Sequence, residues 1–170
     1  MEFQKAIFAA GCFWGVEERF RKVKGVISTR VGYTGGNFTE PTYRDVCSHK
    51  TGHAEAIEVT YDPSKASYDD LLNVFWSIHN PTTLNRQGPD EGTQYRSAIF
   101  YLNSEQREKA LSSKAKLDAT KRFNKPVVTQ VISASDFWEA EEYHQQYEKK
   151  RKKNLQINFN FGNYKKKEVN

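Results

Sequence analysis

Long hydrophobic runs are missing from this chain: no apolar stretch in its 170 residues approaches the roughly 18 needed to cross a bilayer, so no membrane partner is expected. The apolar segment Ala6 to Ala10 is short and is broken by Gly11, which disqualifies it as a secretory leader and makes a cytoplasmic location the expectation. Cysteine is scarce. Cys12 and Cys47 are too few for a disulfide scaffold, and no Cys-x-x-Cys or Cys/His spacing suggests structural zinc, so each thiol has to be judged singly. Glycine and proline are not clustered, and no repeat or low-complexity segment occurs. With 37% apolar and 14% aromatic residues, the composition is that of an ordered globular protein. A chain of this length buries enough surface to stand as one domain, residues 1–170, expected as a monomer.

The net charge of +5 is unevenly spread. Lys149 to Lys153 and Lys165 to Lys167 crowd the last quarter, and residues 152–170 read as a basic tail. Such a cluster could meet nucleic acid or an anionic membrane surface. No nucleic-acid-binding signature accompanies it, so a solvated helix end is the expectation.

Periodicity predicts strands at Lys5–Ala10, Val26–Tyr33, Ala54–Tyr61, Ser97–Leu102 and Val127–Ile132. Helices are predicted at Phe13–Val23, from Ser67 to Ile78, from Asn103 or Ser104 to Phe123 and over Trp138–Arg151, with a helical turn at Thr42–Val46. Pro81 to Gln94 has little periodicity and reads as a long ordered loop, a kind of segment often tied to function. The element order points to an α+β, ferredoxin-like (split βαβ) two-layer sandwich with a mixed sheet, an extra C-terminal helix and a tail.

Cys12 falls where a strand turns into a helix, within Gly11-Cys12-Phe13-Trp14-Gly15. The first free N–H groups of a helix favour a thiolate over a thiol, which is one way to make cysteine reactive. Gly11 permits a tight turn with positive φ, and Gly15 leaves room for close approach. Phe13 and Trp14 add aromatic surface beside the sulfur. A small buried hydrophobe is the competing reading of Cys12.

That pentapeptide, read with Val31-Gly32-Tyr33, Pro41-Thr42-Tyr43, Gly52-His53-Ala54-Glu55, Asn85-Arg86-Gln87-Gly88, Gly92-Thr93-Gln94-Tyr95-Arg96-Ser97 and Tyr143-His144-Gln145-Gln146-Tyr147, resembles the peptide methionine sulfoxide reductase A family over residues 5 to 150. The resemblance implies that Cys12 is the nucleophile and that Phe13 and Trp14 cage the substrate methyl. It places Tyr43, Glu55 and Tyr95 around the sulfoxide oxygen, with Asp90 at a further acidic position. It implies reduction of methionine S-sulfoxide, free or in peptides, through a sulfenic acid on Cys12, with no bound cofactor and no metal. Many family members carry a resolving cysteine in the tail, whereas here no cysteine follows Cys47. An external thiol, whether thioredoxin, glutathione or glutaredoxin, or dithiothreitol in vitro, would then reset Cys12.

The chemistry is consistent with these residue types. A sulfoxide oxygen leaves only if a proton or strong hydrogen bond stabilises the charge developing on it. Glu55 can supply that proton if burial keeps it protonated, and tyrosine hydroxyls can donate to the same atom. Cys47 reads as a buried structural thiol, with resolution of Cys12 as its alternative. His53, His79 and His144 read as satisfied structural histidines. Other thiol chemistry, peroxide reduction or glutathione transfer, remains open from the residues alone, as does a methyl-binding module in which Cys12 is dispensable.

Overall fold

A computed structural model describes residues 2–167, with side chains through residue 157. Strand β1 (Gln4–Ala10) leads through Gly11 and Cys12 into helix α1 (Phe13–Phe20). Strand β2 (Val26–Thr34), the short helix α2 (Tyr43–Cys47) and strand β3 (Ala54–Tyr61) follow. Helix α3 (Tyr68–Ser77) starts at a full capping box, in which the Ser67 side chain accepts from the Asp70 N–H and Asp70 returns the bond to Ser67. The segment expected as an ordered loop folds into a two-residue hairpin, β4 (Arg86–Gln87) against β5 (Asp90–Glu91), and a 3-10 turn at Thr93–Tyr95. Strand β6 (Ser97–Tyr101) and helix α4 (Ser104–Ala119), capped by Asn103, come next. The chain closes with strands β7 (Gln130–Ser133) and β8 (Trp138–Glu139), a 3-10 turn at Glu142–His144 and helix α5 (Tyr147–Lys167).

The result is an α+β fold on a mixed six-stranded sheet ordered β7-β6-β1-β3-β2-β8. β3 lies between β1 and β2 and is antiparallel to both, so the β1–α1–β2 crossover is split by a later strand. β6 runs antiparallel to β1, and β7 runs parallel to β6. Alternation along β1 assigns its two faces. Ala6, Phe8 and Ala10 meet Phe20 of α1, Leu72 and Phe75 of α3 and Ala110 of α4 in the main core. Ile7 and Ala9 face the opposite way, into a smaller cluster with Ala56, Phe100 and Phe137.

Three expectations are corrected. The helix foreseen over Trp138–Arg151 starts only at Tyr147. Its first residues instead form an edge strand, in which Gly32 and Tyr33 of β2 pair with Glu139 and Trp138. The Gln145 side chain completes that edge, accepting from the Val31 N–H and donating to the Val31 and Ala140 carbonyls. Gln146 then adopts φ 49°, which separates this segment from the helix. The fifth predicted strand is shifted: Val128 N–H donates to the Pro81 carbonyl, and sheet pairing starts at Gln130. The supposed tail at 152–170 is helical to Lys167; side chains from residue 158 onward, and residues 168–170 altogether, lie outside the described part.

Candidate active site

Cys12 is the residue before the first turn of α1, and Gly11 makes that position possible. Gly11 has φ 98°, and a Cβ there would lie within 2.9 Å of both Gln87 Cβ and Gln87 Cγ, so the β4–β5 hairpin can pack against the thiol turn only over a glycine. The N–H groups of Trp14 and Gly15 lie near enough to the Cys12 sulfur to pull its pKa down, although the thiol makes no capping hydrogen bond at this helix start. Their effect on its acidity is outweighed. Burial, joined by the charges of Glu55 and Asp90, pushes the thiol up to about 11 against the pull of those N–H groups. The helix-start N–H groups favour the thiolate as expected, but burial outweighs them and leaves Cys12 a half-buried thiol at neutral pH.

Glu55 reaches the same turn from β3. Its Oε2 accepts from the Phe13 N–H at 3.1 Å, and the residue is 2% exposed. Burial raises its carboxyl from 4.5 to about 7; the Phe13 N–H works against that rise and the Asp90 charge adds to it. The acid is thus poised to hold or release a proton near neutrality.

Tyr43 opens α2, Tyr95 lies in the 3-10 turn after the hairpin, and Asp90 sits on β5. These elements are far apart in sequence, yet Tyr95 lies within electrostatic reach of Glu55, Asp90, Cys47 and Cys12 together, and Tyr43 within reach of Cys47, Glu55 and Tyr95. Burial, joined by its acidic neighbours, pushes Tyr95 up to about 12, and burial with the hydrogen bond to Cys47 pushes Tyr43 higher still, so both hydroxyls keep their protons at neutral pH. The structure therefore brings all five sequence-predicted polar residues into one region. Cys47 joins them: it is half-buried, its sulfur lying beside the Tyr43 hydroxyl, which corrects the expectation of a buried structural thiol.

The aromatic side holds more than Phe13 and Trp14. The Trp14 indole N–H donates to His144 Nδ1 at 2.8 Å, and its ring stacks on Tyr147 with centroids 3.8 Å apart. His144 also contacts the rings of Phe13, Tyr43 and Tyr143. Since Nδ1 accepts, the ring proton of neutral His144 is on Nε2, which is buried without a partner among the described residues. Burial lowers its basicity, so the neutral form persists. His53 and His79 are satisfied structural histidines as expected, on Gly36 and Phe38 and on Phe75 and Ser97 respectively. His144 is not. Glu141 was also missed; it ties the site together by accepting from the Tyr33 and Tyr143 hydroxyls and the Tyr43 N–H. The aromatic block Tyr143 to Tyr147 was the available signal for this wall, and reading it as a helix face hid it.

No group of three or more His, Cys, Asp or Glu among the described residues could hold a metal ion, and no helix there is long and apolar enough to cross a membrane. What the site does offer is a reachable sulfur that can give up two electrons, with protonated oxygens opposite an apolar wall. That combination is one an oxidoreductase can use.

Comparison with known proteins supplies the substrate. The family model described as peptide methionine sulfoxide reductase matches residues 4–170. The chain is 62% identical over 145 residues to the peptide methionine sulfoxide reductase MsrA of Methanothermobacter thermautotrophicus, covering 85% of this chain and 86% of that protein. It is 57% identical over 150 residues to the MsrA of Geobacter metallireducens, covering 88% and 93%. Reduced Mxr1 of Saccharomyces cerevisiae superposes with a TM-score of 0.83 at 33% identity, covering 88% and 86% of the two chains. Mxr1 in complex with Trx2 shares the fold at a TM-score of 0.61 and 22% identity, covering 86% and 85%. The chain belongs to the peptide methionine sulfoxide reductase family. It is an oxidoreductase that reduces methionine sulfoxide, an activity that repairs oxidised proteins.

Proposed function

We propose that Cys12 attacks the sulfur of a methionine S-sulfoxide and keeps its oxygen. The observation that carries this reading is the Phe13 N–H bond to Glu55, which holds a near-neutral acid at the turn bearing the thiol. Phe13 and Trp14 receive the methyl group, while Glu55, Tyr43 and Tyr95 donate to the oxygen, and Asp90 raises the proton affinity of Glu55. The sulfoxide sulfur carries partial positive charge, so its arrival favours the thiolate that burial disfavours. A sulfur–sulfur bond forms as Glu55 protonates the oxygen. The intermediate then breaks its new sulfur–sulfur bond and its substrate S–O bond as oxygen passes to the Cys12 sulfur, leaving methionine, reduced by two electrons, and a sulfenic acid on Cys12, oxidised by two; the thiol proton restores Glu55, so protons balance.

An external thiol then attacks the sulfenic acid, releasing water and leaving a mixed disulfide, and a second thiol frees Cys12. Between residues 48 and 170 no cysteine stands to attack Cys12, so within this stretch the resolving thiol must be Cys47 or come from outside. The complex of the relative Mxr1 with Trx2 supports thioredoxin as donor, with glutathione or glutaredoxin as alternatives; no bound cofactor is needed. We further read the scaffold as ferredoxin-like, since β6-β1-β3-β2 with crossovers α1 and α3 follows the split βαβ order, within a single cytoplasmic, monomeric domain. Turnover of separated sulfoxide epimers by the protein and by Cys12→Ser tests the reading. The S epimer alone should be reduced, and only by the unmodified chain; equal turnover by Cys12→Ser refutes it.

A further inference from the structure

Tyr143, Tyr147, Lys150, Arg151, Asn154 and Leu155 line a groove of about 380 Å³ that the chemistry at Cys12 does not use. Tyr147 belongs both to this groove and to the active site, because its ring lies flat on Trp14, the planes 11° apart. Tyr143 joins the two in the same way, with its ring 4.1 Å from that of His144. The groove is apolar where exposed apolar surface is least expected: Tyr143 is 57% and Leu155 60% exposed. It is also basic. Lys150 and Arg151 follow Tyr147 by three and four residues, which on a helix places them on the same face about one turn, roughly 5 Å, further along. Both cations already have partners that an incoming carboxylate must share or displace: Lys150 donates to the Glu142 carbonyl at 3.0 Å and meets its 86% exposed carboxylate at 3.4 Å, and Arg151 donates to Glu148 at 2.9 and 3.2 Å within the same helix.

A peptide whose oxidised methionine enters beside Trp14 must lay its flanking residues on whatever adjoins that ring. An extended chain advances about 3.3 to 3.6 Å per residue, so a peptide that crosses the Trp14–Tyr147 stack meets the two cations a few residues from the methionine. Resting on the sulfoxide reading above, we propose that this face is a substrate subsite that selects peptides with an acidic residue near the oxidised methionine, held by Lys150 and Arg151 over the apolar floor of Tyr143 and Leu155.

The test uses dithiothreitol as reductant, which removes any protein donor from the assay. Three peptides differing only in Glu, Gln or Lys beside methionine sulfoxide are compared, with free methionine sulfoxide as reference. The Glu peptide should exceed the Lys peptide in kcat/KM by about two- to fivefold at low salt, and the order should vanish near 1 M salt. Lys150→Glu/Arg151→Glu should invert the order, and Lys150→Ala/Arg151→Ala should erase it. Equal kcat/KM for all three peptides, with the free sulfoxide still reduced, overturns the subsite and leaves the activity standing. Failure of the unmodified protein to reduce any sulfoxide overturns the underlying reading instead. If charge reversal raises KM for thioredoxin while the peptide order stays unchanged, the face serves the reductant and the proposal is wrong.

Discussion

The Phe13 N–H and Glu55 Oε2 lie 3.1 Å apart, which joins the methyl cage and the acid through one backbone group. Neither can shift without the other. Phe13 is fixed by its helix start and Glu55 by the pairing of β3 with β2, where Glu55 stands opposite Tyr33. On the proposed reading, the acid is therefore held by the sheet and the methyl-facing ring by the start of α1.

This carboxyl is held at about 7 against an ordinary 4.5, so its proton affinity is higher folded than unfolded. Such a group contributes stability that is fully present below 4.5 and is lost as pH rises through about 7, a penalty of about 3 kcal/mol at alkaline pH. Glu55→Gln should be more stable than the parent above pH 8 by an amount of that order, while its kcat falls about 100-fold or more. Activity of the parent should also decline through pH 7, a limb absent in Glu55→Gln. Denaturant titrations at pH 5 and 9 and kcat–pH profiles measure both; equal stability at both pH values contradicts the assignment.

Cys12, pushed up to about 11, should react sluggishly when no substrate is bound. Alkylation by iodoacetamide at pH 7 is expected to be slower than that of a free cysteine and to climb with pH without a plateau below 9. Glu55→Gln, by removing one negative neighbour, should speed it. Fast alkylation levelling off near pH 6 would show a standing thiolate and defeat this part of the account.

Gly11→Ala places a methyl against Gln87 at a φ of 98°, so both the backbone and the hairpin carrying Asp90 must yield. A loss of about 1–3 kcal/mol is expected, with kcat reduced further than the stability loss explains. Thermal unfolding and turnover of the same preparation check it. Gly15→Ala meets nothing within 4 Å in the unliganded protein and should fold normally, so any fall in its activity reports the approach of substrate.

His144 fixes Trp14 only while its Nδ1 is unprotonated, and burial keeps it so. His144→Ala should free the indole and raise KM several-fold, with a smaller effect on kcat, because the cage binds substrate and transition state alike. Steady-state kinetics on one sulfoxide peptide decide; an unchanged KM contradicts the positioning role.

Much of this site was legible in the sequence because its signals are local. Gly11-Cys12 at a strand-to-helix turn and the caps at Thr42, Ser67 and Asn103 are each satisfied within a few residues. What could not be read depends on contacts between distant segments. Trp138 reads as a helical residue until β2 offers it an edge, and His144 reads as a satisfied histidine until Trp14 occupies one ring nitrogen and leaves the other alone. The net acidity of Cys12 could not be read for the same reason. The helix N–H groups are visible in sequence, whereas the burial and the two carboxylates that outweigh them come from folding.

The central claim is that oxygen passes from substrate to Cys12. A single turnover with methionine S-sulfoxide bearing heavy oxygen, without any reductant and with dimedone present, measures this directly. The account predicts one methionine released per chain, dimedone attached at Cys12, and, with dimedone omitted, heavy oxygen on that residue. Methionine released from a chain whose Cys12 stays an unmodified thiol, or an adduct found at Cys47 instead, contradicts it.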